Sequence, residues 1–169
     1  MAILRILHYP DPLLKQVARP VETITDELRQ LAQDMAETMY DAPGVGLAAP
    51  QVGVSRRLVV IDCAPKSEPP QLLTCFNPEL VAREGESCQE EGCLSVPGYF
   101  TSLTRSARVT VRFLDLQGEP VQMEAEGLLA VAFQHEIDHL DGILFVDRLS
   151  PLKKGIFRKK YPKILEELM

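Results

Sequence analysis

The sequence lacks the features that place a protein in a membrane or outside the cell. No apolar run approaches the roughly 18 residues that a helix needs to span a bilayer. The first residues do not contain the long apolar stretch and small-residue cleavage site of a signal peptide. The 4 cysteines form no C-x-x-C pair, so a disulfide framework is not expected. We therefore expect a cytoplasmic protein without membrane attachment.

Repeats, linkers and low-complexity segments are also missing, so nothing divides the chain. Its 169 residues are enough for one domain with a sizeable hydrophobic core. Apolar residues make up 46% and charged residues 25% of the sequence, which is typical of a soluble globular protein. We expect a single domain over residues 1–169.

Positive charge is concentrated at the C-terminal end. The net charge is −6, yet residues 151–169 carry 6 Lys and Arg residues against 2 glutamates. Ser150 and Pro151 are typical of the N-cap and first residue of a helix, and Pro162 should kink or end that helix. A solvated amphipathic helix is the simpler interpretation of this basic segment. A docking surface for a polyanion such as ribosomal RNA is the alternative.

Histidine is rare, and its distribution is informative. Two of the 3 histidines, His135 and His139, enclose an H-E-x-x-H motif. On a helix such residues lie on one face, about 6 Å apart along the axis, so both imidazoles can bind one metal ion beside Glu136. The apolar residues 128–133 and the glycine at position 142 predict a buried helix that ends soon after the motif. Because such polar groups are costly to bury without partners, we favour a metal site over simple packing.

The motif supplies only two ligands, whereas a catalytic metal site needs three and an open position for water. No histidine follows His139, so the third ligand must lie upstream. Cys93 is a candidate because it lies in a bend that contains glycine and proline. The alternative for a lone cysteine is a small buried apolar residue, which we expect for Cys63 and Cys75. The sequence leaves Cys88 undecided.

Hydrophobic periodicity predicts helices in the first part of the chain and strands in the middle. Asp11 and Pro12 are typical of a helix start, and a stronger helical pattern runs over residues 23–40. Apolar or alternating runs predict strands at residues 58–61 and 72–76 and an antiparallel hairpin at residues 108–113 and 121–126.

A stretch with 2 glycines and 2 prolines, residues 42–51, follows the longer predicted helix. It lacks the Gly-Lys-Ser/Thr sequence of a phosphate-binding loop. One interpretation is a turn into a strand. The other is a backbone that a ligand can approach closely, ending in the amide side chain of Gln51. This stretch alone does not decide between them.

Three stretches together resemble the signature motifs of the peptide deformylase family, in that family's order: GVGLAAPQ at residues 44–51, EGCLS at residues 91–95 and QHEIDH at residues 134–139. The resemblance implies an α+β fold in which small antiparallel β-sheets pack around a central metal-binding H-E-x-x-H helix, with a C-terminal helix. It also implies a single catalytic domain and a metallohydrolase. Such an enzyme removes the N-formyl group from the N-terminal formylmethionine of newly synthesised proteins.

The resemblance implies catalytic roles for individual residues. Glu136 matches the carboxylate that serves as general base and then general acid during attack by a metal-bound hydroxide. Gln51, through its side chain, and Leu94, through its backbone N–H, match the donors that stabilise the oxyanion. The residues that match the metal ligands are Cys93, His135 and His139.

Substrate contacts are implied as well. Val45 and Gly46 match the edge along which the substrate backbone lies. Leu128 and Val131 match the site for the methionine side chain. We expect three residues that are distinctive to this sequence to form the pocket rim: Gly98, Tyr99 and Phe100. They should affect which substrate side chains the enzyme prefers.

The resemblance implies iron(II) as the metal in the cell, with zinc, nickel or cobalt able to substitute, although the ligand set by itself fits zinc equally well. The expected partners are N-formylmethionyl nascent peptides and, through the basic C-terminal helix, the ribosome, but neither DNA nor a membrane. A zinc endopeptidase of the H-E-x-x-H type is the alternative function, but no downstream third ligand is present. A non-enzymatic metal-binding module is a further alternative, but it requires four protein ligands.

Overall fold

The protein is built from antiparallel strands around one central helix, in a computed structural model that describes residues 2–168. The strands are β1 Gly46–Ala48, β2 Leu58–Ile61, β3 Leu73–Glu84, β4 Ser87–Cys93, β5 Val96–Arg105, β6 Arg108–Leu114 and β7 Pro120–Glu126. The α-helices are α1 Asp26–Asp41, α2 Gly127–Leu140 and α3 Pro151–Leu168. Short 3-10 helices lie at Pro12–Lys15, Ala49–Val52 and Phe145–Arg148. A five-stranded sheet has the order β1-β2-β3-β6-β7, and β4 and β5 form a separate ribbon. The predicted α+β fold is confirmed.

The two faces of the five-stranded sheet are covered by different helices. In β2, Val59 and Ile61 belong to the core that contains α2, whereas Leu58 and Val60 belong to the core that contains α1. Successive side chains of a strand point to opposite faces, so a strand covered on both sides is apolar throughout. The continuous apolar run of β2 therefore made this strand predictable, and its observed bounds are the predicted ones.

Helix α2 is the buried centre of the molecule. All of residues 130–140 are buried, and Phe133 stacks on Phe113 of β6 with ring centroids 6.3 Å apart. Ile137 and Leu140 extend the same core. Because the helix is covered all round, its polar side chains must find partners inside the protein.

Helix α1 begins at Asp26, later than the predicted start at residue 23. The side chain of Thr25 caps it by accepting a hydrogen bond from the backbone N–H of Leu28 at 3.2 Å. Met35 and Met39 are fully buried, as expected of core residues.

Several element bounds differ from the predictions. Strand β3 continues to Glu84, well beyond the predicted end at residue 76, and β4 and β5 were not predicted as strands. Polar and charged side chains interrupt the apolar alternation of this ribbon, because much of it faces solvent. The predicted first helix is only the short 3-10 helix Pro12–Lys15, capped by Asp11.

The C-terminal helix α3 packs against β5. Phe157 contacts Tyr99 edge-on with ring centroids 4.9 Å apart, and Tyr161 contacts Tyr9 at 5.7 Å. Of the two predicted effects of Pro162, a kink or an end, the end is excluded, because the helix continues through this proline to its last described residue. No helix within residues 2–168 is both long and apolar enough to cross a membrane.

Candidate active site

Three potential metal-binding atoms converge between α2 and the turn that joins β4 to β5. Cys93 Sγ and one ring nitrogen from each of His135 and His139 lie within 4.8 Å of one another. Nε2 of His139 is 3.3 Å from Nε2 of His135 and 3.3 Å from Sγ of Cys93. Donors placed tetrahedrally at about 2.0–2.3 Å from an ion are roughly 3.3–3.7 Å apart, so this spacing fits one ion. Two facing imidazole nitrogens can share only one proton, whereas an ion satisfies both lone pairs.

The other ring nitrogen of His135 is held by Glu91, a role that was not identified from the sequence. Nδ1 of His135 lies 3.0 Å from Oε1 of Glu91. Arg105 donates hydrogen bonds of 2.7 and 3.0 Å to Glu91, and both side chains are 4% exposed. Although burial raises the pKa of Glu91, the hydrogen bonds from His135 and Arg105 bring that pKa below its ordinary value. An ionised Glu91 accepts the Nδ1–H of His135, which leaves the Nε2 lone pair facing His139.

Asp138 and Arg148 extend this chain of charges toward the surface. Arg105 donates a hydrogen bond of 2.9 Å to Asp138, and Arg148 donates two of 2.5 and 2.7 Å to the same carboxylate. The charges alternate from Glu91 to Arg148, so each buried charge has an opposite neighbour. A buried helix indicates that Asp138 needs a partner, but nothing in one sequence identifies Arg105 or Arg148 as that partner.

Glu136 is buried beside the donor atoms. It is 5% exposed, and its Oε1 has no hydrogen-bond partner among residues 2–168. Burial raises the pKa of Glu136 to about 7, although the nearby His135 and Arg105 oppose this shift. A Cβ at Gly46 would lie 2.7 Å from Oε2 of Glu136, so the glycine provides the space that the carboxylate occupies. A carboxylate with an unbonded oxygen here is suited to accept and return a proton.

The side-chain amide of Gln51 is fixed at both ends. Its Oε1 accepts a hydrogen bond of 2.9 Å from the backbone N–H of Ala48. Its Nε2 donates to Ser95 Oγ at 3.0 Å and lies 3.5 Å from Cys93 Sγ. The N–H groups of the amide therefore point toward the donor cluster. Leu94 follows Cys93 in the turn between β4 and β5 and lines the same cavity as Gln51.

The residues expected to contact substrate line one cavity of about 740 Å³, together with Cys93, His135 and Glu136. Leu128 is 48% exposed and stands at its opening, whereas Val131 is 6% exposed. The expected residues brought together here are Val45, Gly46, Gln51, Leu94, Leu128 and Val131. His139 is 1% exposed and lies behind the cavity wall.

The rim differs in part from the expectation. Gly98 and Phe100 line the cavity, but Tyr99 does not, because its ring packs against Phe157 on the opposite side of β5. The remaining histidine, His8, lines the cavity and was not identified from the sequence. No chemical motif surrounds it that distinguishes it from an ordinary surface histidine.

The other cysteines lie outside the donor cluster in the described part of the chain. Cys75 is fully buried and Cys63 is half-buried, and burial raises the pKa of Cys63 to about 11. This agrees with the expectation that both are small apolar residues. Cys88 is exposed.

Comparison with known proteins places this geometry in a family. Residues 3–155 match the family model described as polypeptide deformylase. The peptide deformylase of Thermodesulfovibrio yellowstonii is 53% identical over 161 residues, covering 95% of this chain and 98% of the relative. The crystal structure of a peptide deformylase from Legionella pneumophila is similar with a TM-score of 0.92 at 50% identity, covering 99% of this chain and 98% of that one. The crystal structure of the peptide deformylase from Ehrlichia chaffeensis in complex with actinonin is also similar, with a TM-score of 0.89 at 38% identity. The match covers 96% of this chain and 98% of that one.

Proposed function

We propose which residues carry out each step of the reaction that this chain catalyses as a member of the polypeptide deformylase family. That reaction is the hydrolytic removal of the formyl group from the N-terminal formylmethionine of new proteins. The observation that supports the proposal is one cleft lined by Cys93, His135, Glu136 and Gln51, with the third metal donor, His139, directly behind its wall. The endopeptidase alternative is not favoured, because the similar proteins are deformylases.

Cys93, His135 and His139 would hold one divalent ion, which the family implies. The ion would supply the Lewis acidity that activates water near neutral pH. We propose iron(II) in the cell, as the resemblance to the family implies. We also propose that zinc, nickel or cobalt can substitute, because one thiolate and two imidazoles suit any of these ions. Glu91 keeps His135 in the tautomer that can bind metal.

Glu136 accepts the proton of the attacking water and later returns it to the departing amine of the substrate. Its Oε1 is available for this because no group within residues 2–168 binds it. The amide of Gln51 and the backbone N–H of Leu94 donate hydrogen bonds to the formyl oxygen as negative charge develops there. The backbone N–H of Ala48 holds the side-chain carbonyl of Gln51, so the N–H groups of the amide stay turned toward the site. This preorganisation supports the proposed role of Gln51.

The substrate backbone lies along Val45 and Gly46. This placement is supported by the position of β1 at the edge of its sheet, where an extended peptide can add as a further strand. The methionine side chain lies against Leu128 and Val131, in the apolar part of the cavity.

The test compares formyl-Met-Ala-Ser with acetyl-Met-Ala-Ser. The formyl carbon carries only hydrogen, whereas the acetyl methyl must fit among Gln51, Leu94 and the metal donors. A displacement of about 1 Å lowers rates on the order of 100-fold, so we expect at least that ratio in kcat/KM. Comparable values, or cleavage of an internal peptide bond at a similar rate, would contradict the proposal.

We further propose that α3 contacts the ribosome. Its basic residues Arg158, Lys159 and Lys160 are exposed, as an RNA-binding surface requires. Co-sedimentation with ribosomes at two salt concentrations tests this. Changing these residues to glutamate should reduce co-sedimentation while turnover of a short formyl peptide is retained, and unchanged co-sedimentation would leave α3 a solvated helix.

We also propose a cytoplasmic enzyme with one catalytic domain over residues 1–169 and no DNA partner. The nascent chains on which the family acts support this location.

A further inference from the structure

The first residue of the QHEIDH motif, Gln134, has a buried amide that the proposed chemistry does not use. It is 4% exposed and lines a cavity of about 260 Å³ that shares no lining residue with the cleft. Gln134 and Asp138 line this second cavity, whereas His135 and Glu136 line the cleft, so the two cavities lie against different faces of α2. A buried amide is costly without hydrogen bonds, so its partners indicate what it holds.

The amide of Gln134 holds the backbone of Ser106, the residue that follows β5. Its Oε1 accepts a hydrogen bond of 3.0 Å from the N–H of Ser106, and its Nε2 donates one of 2.9 Å to the carbonyl of the same residue. Nε2 also donates to the carbonyl of Ala130, one turn earlier in α2, at 3.0 Å. The side chain therefore fixes Ser106 to α2 at two points.

The turn that contains Ser106 is otherwise weakly held. Strand β5 ends at Arg105 and β6 begins at Arg108. Between them, the N–H of Ala107 donates to the carbonyl of Gly85 at 3.3 Å, which is long for a hydrogen bond of this kind. The two hydrogen bonds from the amide on α2 are shorter, so they hold the turn more firmly.

The position of this turn bears on the metal donors because Ser106 directly follows Arg105. The guanidinium of Arg105 reaches Glu91 at 2.7 and 3.0 Å, and Glu91 reaches Nδ1 of His135 at 3.0 Å. A backbone shift of about 1 Å would stretch such hydrogen bonds beyond their normal range. Since Gln134 and His135 are neighbours in α2, these contacts close a ring of residues: Gln134, Ser106, Arg105, Glu91 and His135.

We propose that Gln134 is a positioning residue of the metal site that acts through Arg105. By fixing the turn after β5, it keeps the guanidinium of Arg105 on Glu91. Glu91 in turn keeps Nε2 of His135 facing the ion. This inference rests on the proposed function, in which His135 is a metal ligand. Because Gln134 does not line the cleft, its effect should appear in metal affinity and not in substrate binding.

The test measures zinc affinity by competition with a chelator, and the stability of the metal-free protein by urea unfolding. In Gln134→Met, which has a similar length but cannot bind Ser106, zinc affinity should fall about tenfold, the lower end of the range for loss of a group that supports a metal ligand. Gln134→Asn should show the same loss, because its amide is one methylene too short to reach Ser106. This second variant keeps a polar group in the cavity, which favours its folding.

The matched control is Asn77→Ala. Asn77 holds Val21 in the same way, with hydrogen bonds of 2.8 Å to its N–H and its carbonyl, but lines neither cavity. Asn77 also has a φ of 52°, which alanine adopts at a cost. The control should therefore lose at least as much stability as Gln134→Met, yet keep its zinc affinity within about twofold of the wild type, since distant sites act independently.

A double-mutant cycle tests the route through Arg105. Once Arg105→Met has removed the guanidinium, adding Gln134→Met should change zinc affinity by less than about twofold. Full additivity of the two losses would overturn the inference, as would a Gln134→Met protein that binds zinc as tightly as the wild type.

Substrate kinetics separate this role from an effect on the cleft. The zinc-loaded Gln134→Met protein should keep the wild-type KM for formyl-Met-Ala-Ser, and a raised KM would overturn the inference, because Gln134 would then act on the substrate site. A wild type that bound zinc but hydrolysed no formyl peptide would refute the proposed function instead. The zinc affinities would still decide the role of Gln134 in that case.

Discussion

Replacement of Arg105 by methionine should destabilise the protein and weaken its metal site together. The guanidinium donates hydrogen bonds to Glu91 and to Asp138, and its side chain is 4% exposed. Methionine has a similar length but no charge, so it would leave the Glu91 carboxylate buried without its main partner. Removal of one partner from a buried ion pair costs about 3–5 kcal/mol.

The expected loss is a large fraction of the total stability of a domain, which is about 5–15 kcal/mol. For a chain of this length it corresponds to a fall in Tm of about 6–20 °C. A second effect follows from the hydrogen bond between Glu91 and His135. Loss of such outer support lowers metal affinity by about 10–100-fold.

Urea unfolding of the metal-free protein measures the first effect, and competition with a chelator measures the second. The matched control is Arg108→Met, because Arg108 pairs with Glu84 at 3.3 Å and both side chains are more than half exposed. A surface pair of this kind is worth about 0–1 kcal/mol, so this variant should resemble the wild type. If Arg105→Met lost less than about 1 kcal/mol and bound metal as tightly as the wild type, the role assigned to the buried charges would be wrong.

Three further substitutions test the catalytic assignments. The Glu136→Gln variant should retain the metal, as measured by metal analysis, but its kcat should fall about 10²–10⁴-fold because glutamine cannot accept a proton. Loss of the metal from this variant would instead make Glu136 a ligand. Gly46→Ala places a Cβ 2.7 Å from Oε2 of Glu136 and should lower kcat on the order of 100-fold with the metal retained. Its control, Gly155→Ala, meets nothing within 4 Å and should be fully active. Cys93→Ala should lose tight metal binding whereas Cys88→Ala should not, and the reverse result would move the third ligand to Cys88.

The local sequence pattern was sufficient to predict those elements whose structure depends on residues close together in the sequence. The i, i+4 spacing places His135 and His139 on one face of any helix, and the apolar residues before them make that helix a buried one. Strand β2 and the β6–β7 hairpin could be predicted because burial imposes an apolar or alternating sequence on them. No histidine follows His139, so the third ligand was expected upstream of the motif, and the resemblance to a family indicated Cys93.

Tertiary structure alone decided which distant side chains meet. Arg105 lies 14 residues from Glu91 and 33 from Asp138, and no periodicity relates such positions. Tyr99 and Phe100 were expected on the same rim, yet they lie on opposite faces of β5. A shift of one residue in strand register reverses every side chain, and the register here is set by the irregular pairing around Gly92. The sequence therefore determined the central helix and its chemistry, whereas long-range pairing decided what supports the metal donors and which ring of β5 faces the cavity.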